Sequence, residues 1–224
     1  MLQDYTYSLK INFNEGLGIL HTMKNTIKNY PYKTKSNNFR NMISPTSGIL
    51  LIADPFLKDP NFMRSVVFIC EHQDEGTFGF VLNKKFEQTM DDLITNFDGF
   101  PIPVYYGGPV QNDTIHFVHQ YPEEIPGGKE IMDGIYWGGD FKILTKMVKN
   151  RTIDYNKVRF FIGYSGWSKG QLSEEIAEKS WLTVDATAPL VFHQKPDDIW
   201  KDSLKHLGGA YEMMINYPID PQLN

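Results

Sequence analysis

The run Arg159-Phe160-Phe161-Ile162-Gly163-Tyr164-Ser165-Gly166-Trp167 is apolar and aromatic, is broken only by glycine, and leads directly into the amphipathic segment Ser168 to Lys179. A run of that kind demands a strand buried within a sheet, and the segment behind it demands a helix packed beside that sheet. The spacing predicts a strand over Lys157 to Gly163, a Gly-Tyr-Ser-Gly-Trp turn, and a helix to Lys179. Ser168-Lys169-Gly170-Gln171 has the form of a capping box, with the serine accepting from the third helical amide and Gln171 reaching back.

The remaining elements surround this anchor. Gly48 to Ala53 is a short apolar run bounded by glycine and Asp54-Pro55, which suits a buried strand. Arg64 to Glu71 and Thr77 to Leu82, joined by Gln73-Asp74-Glu75-Gly76, read as an antiparallel hairpin. Phe86, Met90, Leu93, Ile94 and Phe97 fall at helical spacing and predict a helix from about Phe86 to Asn96. Pro103 to Tyr106, Thr114 to Gln120 and Ile131 to Trp137 are expected strands. Asp140 is placed to cap a helix bearing Phe141, Leu144, Met147 and Val148. Trp181 to Val184 and Leu190 to Phe192 read as strands. Pro196 opens a last helix carrying Ile199, Trp200, Leu204 and Leu207, stopped by Gly208-Gly209. Hairpins mixed with single helices, without a regular βαβ repeat, give an α+β fold with a mixed, largely antiparallel sheet.

Composition narrows the function. The 224 residues, 41% hydrophobic and 14% aromatic, suffice for a substantial core. No stretch approaches the ~18 apolar residues needed to cross a bilayer, and no leader-like start is visible, so a cytoplasmic location is expected. Residues 1–44 hold six of the 22 Lys and Arg and two of the 27 Asp and Glu, which leaves a net charge of −9 on the rest. That body repels a phosphate backbone, so direct nucleic-acid binding is disfavoured. Residues 1–44 lack a sustained apolar period and close on Ser44-Pro45-Thr46-Ser47-Gly48. They read as a poorly ordered N-terminal extension ahead of a single domain, 45–224. Met23 and Met42 are both available as alternative initiators.

Several motifs together resemble the YqgE/AlgH family of bacterial proteins: Gly48-Ile49-Leu50-Leu51-Ile52-Ala53-Asp54-Pro55-Phe56, Arg64-Ser65-Val66-Val67, Gly76-Thr77-Phe78-Gly79-Phe80-Val81-Leu82-Asn83-Lys84, Tyr106-Gly107-Gly108-Pro109-Val110, and Gly163-Tyr164-Ser165-Gly166-Trp167 with Gln171-Leu172. The resemblance spans roughly Gly48 to Tyr211. It implies one α+β domain whose bifurcated sheet curls into a pseudo-barrel with flanking helices. The family carries a transcriptional-regulator label. The resemblance brings no catalytic or cofactor-binding residues, and any effect on transcription is expected to run through a protein partner or small ligand.

Candidate chemistry is sparse. Arg64, Asn83, the Gly107-Gly108-Pro109 turn and the Tyr164-Ser165-Gly166-Trp167 turn would together offer backbone amides, a guanidinium and aromatic walls, fit to cradle a small anion or a peptide. The competing structural reading has the glycines meeting tight-turn geometry, Trp167 packing, and Arg64 or Arg159 paired with an acid. A nucleophilic Ser165 at a strand–turn–helix elbow, serving a hydrolase or transferase, is the alternative, although Trp167 stands where the elbow signature needs glycine. Cys70 lies in an apolar run and reads as a buried, inert thiol. His116 and His119 would point to opposite faces of a strand and so not share a metal. Glu71-His72, and His193 near Asp197, read as surface groups, and Asp54 and Asp59, each before proline, as turn residues. No cofactor or metal site is read from the sequence.

Overall fold

The computed structural model describes Tyr7–Ser8 and residues 43–218. Apart from Tyr7–Ser8, almost all of the expected N-terminal extension and the alternative start sites therefore lie outside the described residues. In chain order the strands are β1 (Tyr7–Ser8), β2 (Ile49–Ala53), β3 (Val66–Gln73), β4 (Gly76–Val81), β5 (Lys85–Thr89), β6 (Pro103–Tyr106), β7 (Val110–His119), β8 (Lys129–Met132), β9 (Ile135–Trp137), β10 (Val158–Ser168) and β11 (Trp181–Asp185). The helices are α1 (Met90–Leu93), α2 (Phe141–Lys149), α3 (Gln171–Ala177), α4 (Ala188–Val191) and α5 (Pro196–Leu207).

All five residues of β2 are buried, because the strand lies between β11 and β3 with helices on both faces. Leu50 and Ile52 face a core closed by Leu190, Ile199, Trp200 and Leu204 of α4 and α5. Ile49, Leu51 and Ala53 face the opposite core, closed by Leu172 of α3 with Trp167 and Trp181. A continuous apolar run is the sequence form of a strand covered on both faces. The β3–β4 hairpin closes through Asp74-Glu75, with Gln73 opposite Gly76 and a register shift between Ile69 and Glu71. A third core lies under α2, where Phe141, Leu144 and Val148 meet Phe117, Phe160 and Ile162, and Asp140 caps that helix through Lys142 N at 2.8 Å.

The sheet divides at β10. Residues 158–164 of β10 pair antiparallel with β7, and Phe160 to Ile162 pair in parallel with β6. Beyond Gly163 the strand continues, and Ser165 to Ser168 pair with β4. The order runs β11-β2-β3-β4-β10-β7-β9-β8, with β5 and β6 branching off β10 and β1 added to β7. Apart from β10–β6 the pairings are antiparallel. The sheet is thus bifurcated, as the resemblance implies. Among the described residues its path ends at β11 and β8 without pairing them, so closure into a pseudo-barrel is not seen there.

Four expectations need correction. The Gly-Tyr-Ser-Gly-Trp segment is strand rather than turn, because β4 offers a partner edge to Ser165 through Ser168. The Phe86 to Asn96 helix is replaced by β5, one turn of α1 and a 3-10 turn over Thr95–Phe97. Pairing of Lys85 and Thr89 with β6 holds the first part extended, and Thr89, whose N–H donates to Asp92 Oδ2 at 2.9 Å, starts the helix only at Met90. Leu190 to Phe192 belongs to α4 and its cap, opened by Thr187 and Pro189. Ile131 to Trp137 is split into β8 and β9 at Asp133-Gly134, where Gly134 has φ +71°.

Candidate functional site

Arg64 and Asn83 sit side by side at the open end of the β3–β4 hairpin. Asn83 Oδ1 accepts from Val66 N at 2.9 Å and Nδ2 donates to Arg64 O at 2.8 Å, so the amide acts as an extra rung of the ladder. This holds Arg64 at φ +54°, a left-handed conformation that a side-chain-bearing residue adopts only when its surroundings impose it. The Arg64 guanidinium lies over the Trp200 ring at 4.2 Å, and Nη2 donates to the Tyr217 carbonyl. Nε is buried with no acceptor. Burial lowers the Arg64 pKa and raises that of Asp54; each moderates the other's shift through its field, and Asp54 Oδ1 also accepts from Phe56 N at 2.8 Å. Exposed Phe56 stacks on Tyr217 at 5.5 Å, and Met63, next to Arg64 in the chain, is exposed as well.

The second group of residues meets elsewhere in the sheet. Ser165 is fully buried within β10, and its Oγ donates to Gly107 O at 3.0 Å. The same carbonyl accepts from Val81 N, and Gly107 N donates to Ile162 O at 2.8 Å. A Cβ on Gly108, whose φ is +151°, would overlap Ser165 Oγ and N. Gly107, Gly108 and Ser165 therefore permit the close approach of two strands, and the Gly107 amide is already bonded. The exposed strand–turn–helix elbow that a nucleophile requires is not formed at Ser165. Tyr164 is half-buried and packs edge-on to Phe78 and His116, while Gly166 is exposed.

Trp167 is buried, and its Nε1 donates to Glu175 Oε2 at 2.9 Å. Trp181 Nε1 donates to the same oxygen at 2.8 Å, and Gln171 Nε2 to Oε1 at 2.9 Å. This Glu175 hub pins α3 to β10 and β11 and was not foreseen. The spacing of Gln171 and Glu175 by four carried part of it, since residues four apart meet on a helix, but Trp167 joins from β10 and Trp181 from β11. Gln171 does reach back to Ser168 N, at 3.0 Å, whereas the Ser168 hydroxyl turns toward Gln171 and the cap position falls on Gly170.

The other titratable groups are dispersed. Neither Arg64 nor Arg159 makes an ion pair among the described residues. Arg159 is buried, bonds the carbonyls of Leu82 and His193, and stacks over Tyr105 at 4.3 Å. His119 donates through Nε2 to Gly138 O at 2.9 Å and accepts at Nδ1 from Tyr121 N at 3.1 Å. His116 faces the other side of β7 among Phe80, Tyr164 and Trp137. Its Nε2 meets Thr114 Oγ1 at 3.0 Å, its buried Nδ1 has no partner, and burial lowers its pKa to about 4. Glu71 pairs with Lys129 rather than with His72, and His193 meets Asp202 at 3.2 Å rather than Asp197. Cys70 is buried, and its thiol pKa is pushed well up by desolvation, which keeps it protonated and unreactive. No group of His, Cys, Asp or Glu suited to a metal occurs among the described residues, and no helix there is long and apolar enough to cross a membrane.

The profile of the AlgH-like family (DUF179) matches residues 50–212. The chain belongs to the AlgH-like family. Among the relatives of this AlgH-like chain, a UPF0301 protein of Chlorobium limicola is 42% identical over 177 residues, covering 79% of this chain and 95% of that protein. A UPF0301 protein of Parabacteroides distasonis is 40% identical over 195 residues, covering 86% and 98%. The AlgH protein of Pseudomonas aeruginosa, solved in solution, superposes with a TM-score of 0.62 at 24% identity, covering 80% of this chain and 98% of that chain. A Corynebacterium diphtheriae protein solved by X-ray crystallography reaches a TM-score of 0.68 at 21% identity, covering 80% and 95%. These likenesses establish the fold. The AlgH-like match begins at residue 50, so the β1 strand lies ahead of it.

Proposed function

We propose that this chain is a non-enzymatic cytoplasmic binding protein that receives an anionic group of a small ligand or a protein partner at Arg64, with any effect on transcription passing through that partner. The observation that carries this reading is the buried Arg64 Nε without an acceptor, on a guanidinium fixed against Trp200 and bonded to the carbonyl of Tyr217, the residue on which exposed Phe56 stacks. A buried donor left unbonded costs ~1–3 kcal/mol, and an incoming carboxylate or phosphate oxygen would recover it. The planar fork of the guanidinium suits an anion that bonds Nε and Nη2 together, and such an anion would replace the Tyr217 carbonyl at Nη2. Asn83 contributes by holding the Arg64 backbone, whereas Gly107 and Gly108, which pack against Ser165, and Tyr164, Ser165, Gly166 and Trp167 of β10 lie elsewhere in the sheet and support it from a distance.

Thermal unfolding in the presence of inorganic phosphate or acetate tests this reading. At about 10 mM anion, the wild type is expected to gain several degrees in Tm, and Arg64→Lys, which keeps the charge but loses the fork, is expected to gain much less. An equal gain in both proteins, or none in either, would remove Arg64 as the receiving group.

A further inference from the structure

A concave site of about 430 Å³ lies between the segment leading into β6 and the one that follows α2, lined by Gly99, Phe100, Pro101, Ile102, Pro103, Arg151, Ile153 and Tyr155. Its floor is apolar: Ile102 and Ile153 are buried there, while Tyr155 is 44% exposed at the rim. Both walls are fixed by the backbone. Phe100 N donates to Phe97 O, Ile102 N donates to Phe100 O, and Ile102 O accepts from Met90 N, while Pro101 and Pro103 lock the intervening φ angles. Across the cavity, Arg151 N donates to Val148 O at the end of α2, and Asp154 N donates to the Tyr121 hydroxyl at 2.6 Å. A site with rigid walls loses little entropy on closing around a ligand.

The charge at the rim selects the ligand. Arg151 sits at φ +56° and makes no ion pair or side-chain hydrogen bond among the described residues. The nearest acid in sequence, Asp154, makes no ion pair with it and accepts from Asn156 N at 2.9 Å. The Arg151 field reaches the Tyr155 hydroxyl, whose pKa is raised by burial and partly restored by that guanidinium, so cation and phenol face the same space. An unpaired guanidinium beside an apolar floor matches a molecule with one planar anionic end and an apolar body. The chain as a whole carries −5, which weighs against a polyanion. At ~30 Å³ per water-sized group, the volume holds on the order of fourteen non-hydrogen atoms.

We propose that this cavity is a second binding site, for a small amphiphilic carboxylate whose apolar chain lies on Ile102 and Ile153 between Phe100 and Tyr155 and whose carboxylate pairs with Arg151. It is separate from Arg64 and does not depend on the reading given to that residue.

Octanoate and octan-1-ol, titrated into the uniformly ¹⁵N-labelled full chain, are the probes. Octanoate is expected to shift the amides of Gly99, Ile102, Arg151, Ile153 and Tyr155 saturably, with a Kd on the order of 1 mM for a ligand of this size. Arg151→Gln is expected to weaken octanoate about threefold and to leave octan-1-ol binding unchanged. The same spectra report whether the variant is folded. Absence of saturable shifts up to about 20 mM, shifts centred elsewhere, or undiminished octanoate binding by a folded Arg151→Gln would overturn the proposal.

Discussion

His116 and His119 lie three residues apart on β7 and face opposite sides of it, with different consequences. His119 uses both ring nitrogens, whereas His116 leaves Nδ1 buried and unbonded among aromatic rings. A histidine whose folded pKa is about 4, against 6.5 when unfolded, takes up its proton more readily in the unfolded chain. Its contribution to stability is therefore complete above pH 6.5 and is lost as the pH falls from 6.5 toward 4, by about 3 kcal/mol in all at ~1.36 kcal/mol per unit. His119, whose pKa burial also lowers, adds to the loss in the same direction. His116→Leu is expected to lie within ~1 kcal/mol of wild type at pH 7 and to lose markedly less between pH 7 and pH 4.5 in urea unfolding. Parallel losses in the two proteins would show that His116 is not the source.

Gly163 is the residue on which the branching of β10 turns. It has φ +64°, and a Cβ there would lie 2.7 Å from each of Asn112 Oδ1, Gly108 O and Val110 O, two of them backbone atoms that cannot move aside. Gly163→Ala is expected to cost more than ~3 kcal/mol, seen as a Tm lowered by ten degrees or more or as loss of soluble protein, while Gly170→Ala, where a Cβ meets open space, costs about 1 kcal/mol. The same residue marks where the sequence could and could not be read. Strands with continuous apolar runs, β2, β3 and β11, were legible because burial on both faces leaves a local imprint. Asp140 and Pro196 were legible because capping and proline geometry are local too. The passage of β10 through Gly-Tyr-Ser-Gly-Trp was not, because glycines that normally break a strand here admit a bulge, and the partner that keeps the chain extended, β4, is about ninety residues away in sequence. At the site, the Arg64–Asn83 contact was within reach of the hairpin register, since Val67 faces Val81 and Asn83 must then fall opposite Ser65. Exposure of the glycine turns was not readable, because it depends on which strand covers them.

For the whole molecule, the sheet is an open path, and its uncovered edges bear on solubility. Along the edge of β7, β9 pairs with Val118 and His119, and Tyr7–Ser8 covers Thr114 and Ile115. An unpaired strand edge is a template for another chain. A chain begun at Met42 is therefore expected to associate more strongly with rising concentration in sedimentation velocity than the full chain does; identical profiles would show that the β1 pairing protects nothing. The position of β10 has a further consequence, for synthesis. It is the strand on which both branches close, yet it occupies residues 158–168 of 224. During translation β4, β6 and β7 therefore leave the ribosome before the partner that each of them flanks, and the nascent chain carries their apolar edges incomplete until about residue 168 has emerged. Agents that shelter hydrophobic nascent segments should matter most over that interval, and slowing elongation before residue 158 should lengthen the exposure rather than help the chain to fold.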